Sequence, residues 1–327
     1  MRESLPSLGL GAAAIGNLYR PMTDEEAIDT VAASLEAGIA YIDTAPHYGF
    51  GLSEKRVGEA LRRLDPAQKI AISTKVGRLL QPAEGRASIR HGFADAAPFE
   101  PVFDYSYDAV MRSFEESCAR LGRSHIDLLL AHDLGRLTHG QAHEAHYRSF
   151  LEGGYRAMRE LRDSGAVQAI GLGVNEWQIC QQAMRDAEFD LFLLAGRYTL
   201  LEQSALDSFL PDCTARGIGV IIGGPYNSGI LAGGSHFNYQ PAPAEIVAKV
   251  RRLERHCADH GVPLAAAALQ FPLAHPQVVS VIPGMAGRDQ VKETMRLMTI
   301  AIPADFWSAL REDGLLHPDA PTPETRS

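Results

Sequence analysis

Seven short apolar runs punctuate the chain: Ile39 to Ile42, Ile70 to Ser73, Ile126 to Ala131, Ala169 to Val174, Phe189 to Leu194, Ile218 to Ile222 and Val278 to Ile282. Each is too short for a helix and too apolar for a strand with one wet face, which is the pattern of a parallel sheet covered on both sides. Between them lie stretches of helical period with charged outer faces: Asp24 to Ala37, Ser53 to Leu64, Tyr107 to Leu121, Tyr147 to Ser164, Glu176 to Ala187, Ala205 to Arg216, Ala244 to His260 and Gly287 to Met298. Gly38, Gly122, Gly165, Gly217 and Gly261 each follow the last turn of one of these helices, where a left-handed residue closes a helix cleanly. With Leu8 to Gly11 as an irregular first strand, the order is strand then helix, eight times over, which is the arithmetic of a (β/α)8 TIM barrel. A doubly wound open sheet fits less well, because Gly9-Leu10-Gly11-Ala12 lacks the third glycine and the following helix of a dinucleotide fingerprint.

The pattern predicts one domain over residues 1–317 and a flexible, proline-containing tail over 318–327. Two connections, Val76 to Ser106 and Pro225 to Ala244, exceed the roughly 12 to 15 residues typical of plain loops. Both leave the carboxyl ends of strands, where barrel active sites are assembled, and are the candidate gates for substrate and cofactor.

Composition narrows the class. The 327 residues carry 31 Lys and Arg against 40 Asp and Glu, a formal charge of −9, with 46% hydrophobic and 22% charged residues. That is a globular composition and excludes disorder as the main state. A net negative chain with no Lys/Arg block longer than a pair lacks the footprint of a nucleic-acid binder. No apolar run is long enough for a membrane-spanning helix, and the apolar stretch near the N-terminus is broken by Pro6, Gly9 and Gly11, unlike a secretory leader. Cys118, Cys180, Cys213 and Cys257 are too scattered for a metal clip or a disulfide framework, so reduced thiols, no metal and a cytoplasmic location are expected. Oligomeric state is left open.

Proton chemistry concentrates at three consecutive strand ends: Asp43-Thr44-Ala45-Pro46-His47-Tyr48-Gly49 after the second, Lys75 at the third, and His132 followed by Asp133 at the fourth. Taken singly each residue reads as a turn cap, a solvated lysine or a structural histidine; their juxtaposition around one side of a barrel mouth raises the functional reading. An ammonium about 4 Å from a phenolate stabilises it by about 4 kcal/mol at an effective dielectric of about 20, roughly three pKa units. Lys75 is therefore expected to bring Tyr48 toward neutrality, with Asp43 aiming Lys75 and His132 orienting a substrate oxygen. A Schiff base on Lys75 is the alternative chemistry for a strand-end lysine.

The run Asp43 to Glu54 with Gly58 following resembles the first signature of the aldo-keto reductases, and Lys75 and His132 complete the tetrad of that family. The resemblance implies that Tyr48 is the general acid/base, that Lys75 tunes it, that Asp43 holds Lys75, and that His132 steers the substrate oxygen. It also implies a nicotinamide cofactor. Asn175 matches the carboxamide-binding asparagine, while Val174, Ala195 and Gly223 stand where the family usually has serine, glutamine and a stacking aromatic ring, with Tyr226 or Tyr198 as replacements for the ring. The segment Pro225 to Leu231, with Ser228, Gly229 and Ile230, corresponds to the pyrophosphate loop. Gly284 and Gln290 replace the lysine and arginine of phosphate-preferring relatives, which favours NAD over NADP; Arg288 is the one cation near enough to keep NADP possible, and Glu293 matches the adenine-contacting glutamate. The long insert and the two segments Leu194 to Leu201 and Gly223 to Gly229 look like the sugar and pyridoxal dehydrogenase branch. That likeness implies oxidation of an aldose such as L-fucose at C1 to its lactone, with pyridoxal oxidation or NADPH-dependent aldehyde reduction as alternatives and a non-catalytic nicotinamide-binding protein as the reading outside the class. Tyr19, His47 and Trp177 are the candidate substrate contacts.

Overall fold

The computed structural model describes residues 5–84 and 87–323. Eight parallel strands run in chain order: β1 (Leu10–Gly11), β2 (Tyr41–Asp43), β3 (Ala71–Val76), β4 (Ile126–His132), β5 (Val167–Val174), β6 (Leu191–Ala195), β7 (Gly219–Gly223) and β8 (Val278–Ile282). Consecutive strands pair throughout, with Asp43 beside Ser73, Lys75 beside Leu130, His132 beside Gly173, and Gly223 between Ala195 and Ile282. Bridges from Leu8 to Val281 and from Gly11 to Gly284 bring the last strand back to the first, and Gly9 N–H donates to Val281 O at 3.0 Å. This is the expected (β/α)8 barrel.

Two layers of core follow from the strand pattern, because alternate residues point into and out of the barrel. Tyr41, Leu128, Leu130, Leu191, Leu193, Ile221 and Ile282 fill the interior, whereas the opposite strand faces pack under the helices in the larger cluster. The flanking helices include α1 (Asp24–Glu36), α2 (Leu52–Leu64), α3 (Tyr107–Leu121), α4 (Tyr155–Asp163), α5 (Trp177–Asp186), α6 (Phe209–Arg216), α7 (Ala244–His260), α8 (Leu264–Gln270), α9 (Arg288–Thr299) and α10 (Ala304–Glu312). Thr23 opens α1 with a reciprocal capping box to Glu26, both bonds at 3.1 Å, satisfying two otherwise orphaned N–H groups.

The structure departs from the sequence pattern in instructive places. The helix expected from Tyr147 to Ser164 is split by a wide turn over Phe150–Gly154. Glycine is required there: a Cβ on Gly153 would sit 2.7 Å from Tyr107 N, and one on Gly154 2.5 Å from Tyr105 O. The connection after β3 is not an open loop. Arg78–Pro82 pairs antiparallel with Phe99–Phe103, and Ile89–Arg90 with Phe93–Ala94. After β7, Ile230–Ala232 forms a helical turn, and His236–Phe237 pairs with Gln240–Pro241 around the left-handed residues Asn238 and Tyr239. Packing continues beyond the boundary expected at residue 317: Ala320 is buried and its carbonyl accepts from Arg311 at 3.1 Å, while residues 324–327 of the expected tail lie outside the described residues. Among the described residues no helix is long and apolar enough to cross a membrane.

Candidate active site

The β2–β3 pairing sets the catalytic corner. It places Asp43 and Lys75 at the same end of adjacent strands, with side chains only 3% and 1% exposed. Lys75 Nζ donates to both carboxylate oxygens of Asp43, at 2.9 and 2.8 Å, and to Thr44 O at 2.9 Å. Ser73 donates to Asp43 Oδ1 at 2.6 Å and also contacts Tyr41 Oη at 2.8 Å. The turn after β2 brings Tyr48 over this pair, its hydroxyl 3.2 Å from Nζ. A buried ammonium thus has a carboxylate, a carbonyl and a phenol as partners, which is the condition for keeping such a charge in a low-dielectric interior.

Burial, followed by the Asp43 and Asp133 carboxylates, holds the Tyr48 pKa well above the usual phenol value, with Arg78 acting in the opposite sense. The expectation of a phenol near neutrality is therefore corrected. Lys75 is already balanced by Asp43, so the pair presents little net positive charge to Tyr48, and desolvation dominates. In this state Tyr48 is a proton-bearing phenol. Burial, then Arg78, Lys75 and His47, likewise push His132 well below the usual imidazole range, leaving it neutral. Its ring meets Tyr48 edge-on, with centroids 6.0 Å apart. His47 lies 5.8 Å from His132, walled by Phe93, Phe50 and His91.

A cavity of about 820 Å³ opens beside this corner. Asp43 and Tyr48 lie in its wall with Tyr19, Asn175, Tyr226, Ser228, Gly229, Gly284 and Glu293. The expected carboxamide, pyrophosphate-loop and adenine-end residues therefore share one space. Three successive left-handed residues, Asn227, Ser228 and Gly229, curl the loop around it, anchored by Thr199 donating to Asn227 Oδ1 at 2.6 Å. Gly223, Ala195 and Leu193 form a floor of small and aliphatic side chains.

Not every expected residue arrives there. Ile230 is buried outside the cavity wall. Tyr198 packs in the core against Phe271, so Tyr226 alone of the two candidate rings reaches the cavity. Trp177 lies outside the cavity wall, half-buried against the core at the start of α5 with its indole N–H donating to Ser204 Oγ at 3.2 Å. Arg288 is engaged by Glu36 at 2.5 Å and Asp29 at 2.6 Å, away from the cavity. Three further contributors were not assigned a role from the sequence. Arg78 pairs with Asp133; Asp133 accepts from Asn175 Nδ2 at 3.0 Å; and Tyr239, at the tip of the β7 hairpin, donates to Asn175 Oδ1 at 3.4 Å. Only the polar residue directly following His132 offered a signal for any of them.

Residues 7–313 match the profile of the aldo/keto reductase family. The chain belongs to that family. It is 44% identical to a pyridoxal 4-dehydrogenase of Microbacterium luteolum over 96% of this chain and 95% of that protein. It is 38% identical to a D-threo-aldose 1-dehydrogenase of a Pseudomonas species, over 98% and 96% respectively. Among solved structures, the holo form of an aldo-keto reductase from Bacillus halodurans superposes with a TM-score of 0.73 at 23% identity, covering 98% of this chain and 94% of that one, which shows the shared barrel. As an aldo/keto reductase with dehydrogenase relatives, the protein is an oxidoreductase acting on CH–OH groups.

Proposed function

We propose that this aldo/keto reductase is an NAD-dependent dehydrogenase of cyclic hemiacetals, converting the anomeric hydroxyl to a lactone. The observation that carries the reading is the Tyr48 hydroxyl, 3.2 Å from a buried Lys75 and exposed to the cavity. A bound nicotinamide supplies the hydride acceptor. The protein supplies the proton path: Tyr48, as phenolate, takes the hydroxyl proton while the C–H bond breaks and the C=O bond forms. Lys75 stabilises the phenolate in that step, Asp43 fixes Lys75, and neutral His132 orients the reacting oxygen. In the reverse direction Tyr48 donates the same proton to a carbonyl.

The cavity suits the cofactor. Its length is lined by residues from β1, β6 to β8 and α9 and by Asn175 just after β5, so that Asn175 is available to an amide and the Ser228–Gly229 turn to a phosphate. Its far wall holds Asp289 and Glu293, which disfavour a 2′-phosphate, and Arg288 is occupied by two carboxylates. NAD is favoured accordingly.

Two substrates present the reacting group. An aldose such as L-fucose is the reading from the sequence resemblance; pyridoxal in its ring-closed form is favoured by the 44% identity to a pyridoxal 4-dehydrogenase. Reduced-nicotinamide formation with each, using NAD and NADP, separates them. NAD-dependent turnover of either hemiacetal, lost in Tyr48→Phe, is the expected result. Activity confined to NADPH-dependent aldehyde reduction overturns the assignment, and tight cofactor binding without turnover of any substrate would indicate a non-catalytic role.

A further inference from the structure

The residue after the steering histidine is in an unusual state. Asp133 is 7% exposed and has φ of 48°, a left-handed conformation that costs a non-glycine residue free energy. Its N–H is tied to Gly173 O at 2.9 Å, which locks the strain in place. The carboxylate that this conformation aims inward is divided between strands: Oδ2 accepts from Arg78 beyond β3, and Oδ1 accepts from Asn175 beyond β5 at 3.0 Å. The same Oδ2 lies only 3.6 Å from His132 Nε2. Arg78 has its guanidinium over the Phe103 ring at 4.6 Å, which fixes its plane.

We infer that Arg78 is a positioning residue for the reaction: it holds the Asp133 carboxylate between itself and Asn175, so that His132 remains free for the substrate oxygen. The inference rests on the steering role assigned to His132 above. The physical argument is a competition. A carboxylate 3.6 Å from an imidazole would otherwise form an ion pair with it, charging the ring and directing its N–H away from substrate. A guanidinium offers a permanently charged, fork-shaped donor and takes the carboxylate first. The groups facing His132 from the surrounding elements are Asp133 beside it, Lys75 and Arg78 from β3 and its extension, His47 and Tyr48 from the turn after β2, and Tyr105, whose hydroxyl donates to the His132 carbonyl at 2.6 Å. Asp133 is the one carboxylate of this set, the group that favours a charged ring against the burial, Arg78, Lys75 and His47 that keep it neutral. Its second oxygen gives the pair another effect: the Asn175 amide, which lines the cofactor cavity, is oriented by the same carboxylate.

The test is a histidine-ring NMR titration of the intact enzyme, which reads His132 without turnover and so separates failure of this inference from failure of the proposed function. In the native protein His132 is expected to stay neutral where a free imidazole titrates. Arg78→Gln should raise its midpoint by about one pH unit or more, with kcat falling about ten-fold at acidic pH and recovering as pH rises. Adding Asp133→Asn to that variant should return the ring to its native behaviour, and Arg78→Lys should give an intermediate midpoint. A folded Arg78→Gln enzyme with an unchanged His132 titration overturns the inference, as does a raised midpoint that persists in the double variant. Should Arg78→Gln fail to fold, Asp133→Asn alone reports: cofactor KM is expected to rise several-fold through Asn175, and an unchanged KM counts against the pair.

Discussion

The two sides of the barrel mouth are built on opposite principles. At β2 and β3 the catalytic corner is closed and saturated, with Lys75, Asp43, Ser73 and Thr44 meeting one another's hydrogen-bonding needs inside the fold. From β6 to β8 the wall is backbone, glycine and small side chains around an open cavity, its loop shaped by left-handed residues rather than by packed charges. The difference teaches where rigidity is needed. Proton transfer depends on tenths of an ångström between charged groups, so its participants are over-determined; a long cofactor is held by many weak contacts, and its wall needs shape and N–H groups more than fixed side chains.

Breaking the closed side should produce the largest effects. Tyr48→Phe should lower kcat by about 10³-fold while cofactor binding, followed by fluorescence titration, stays within a few-fold of native. Equal loss of both would show that the two sides are not separable. Lys75→Met should be nearly as inactive and should also unfold earlier in urea, by about 3 to 5 kcal/mol, because Asp43 would be left as an unpaired buried charge. A variant of native stability would show that the corner is more hydrated than its burial indicates.

Changes on the open side should retune rather than abolish. Gly284→Lys combined with Gln290→Arg should move the kcat/KM preference toward NADP by about ten-fold or more, since each cation gives the 2′-phosphate a charge-assisted partner. No movement in that ratio would place the adenosine end elsewhere. The pH response is a gentler probe of the closed side. With the Tyr48 pKa raised by burial, the phenolate that oxidation requires grows as pH rises, so oxidation should accelerate toward alkaline pH while reduction, which uses the phenol, falls. Oxidation that slows, or reduction that accelerates, toward alkaline pH would contradict Tyr48 as the group responsible. Tyr239→Phe should have the smallest effect, a few-fold rise in cofactor KM from loss of the long bond to Asn175.

The closed side was largely legible in the sequence because its residues sit at strand ends, and the strand order alone brings Asp43, Lys75 and His132 together. What the sequence withheld was the balance of charge. The order of residues pairs Asp43 with Lys75 but does not say how fully the carboxylate cancels the ammonium or how deeply Tyr48 is buried, so the phenol's environment was read with the wrong sign. The open side was legible only as glycine-rich chain. Tyr226 and Tyr198 look equivalent on paper, yet one faces the cavity and the other Phe271, a choice made by loop backbone that no periodicity encodes. Arg288 and Trp177 were misplaced for a related reason: long side chains on helix starts can reach several partners, and the nearby carboxylates and Ser204 decided. The hairpins of the β3 insert were missed because their strands are short and half exposed, with little alternation to reveal them.

The seam between the first and last strands has a consequence for biogenesis. Leu8 meets Val281 and Gly11 meets Gly284, partners separated by roughly 270 positions, and such long-range pairings form only after the intervening chain has been laid down. During synthesis Asp43, Tyr48, Lys75 and His132 are all available before half of the polypeptide exists, but the wall opposite them waits for β8. A ribosome-bound fragment can therefore carry the whole tetrad and still offer no enclosed cavity, and competence is acquired late, in the step that closes the ring.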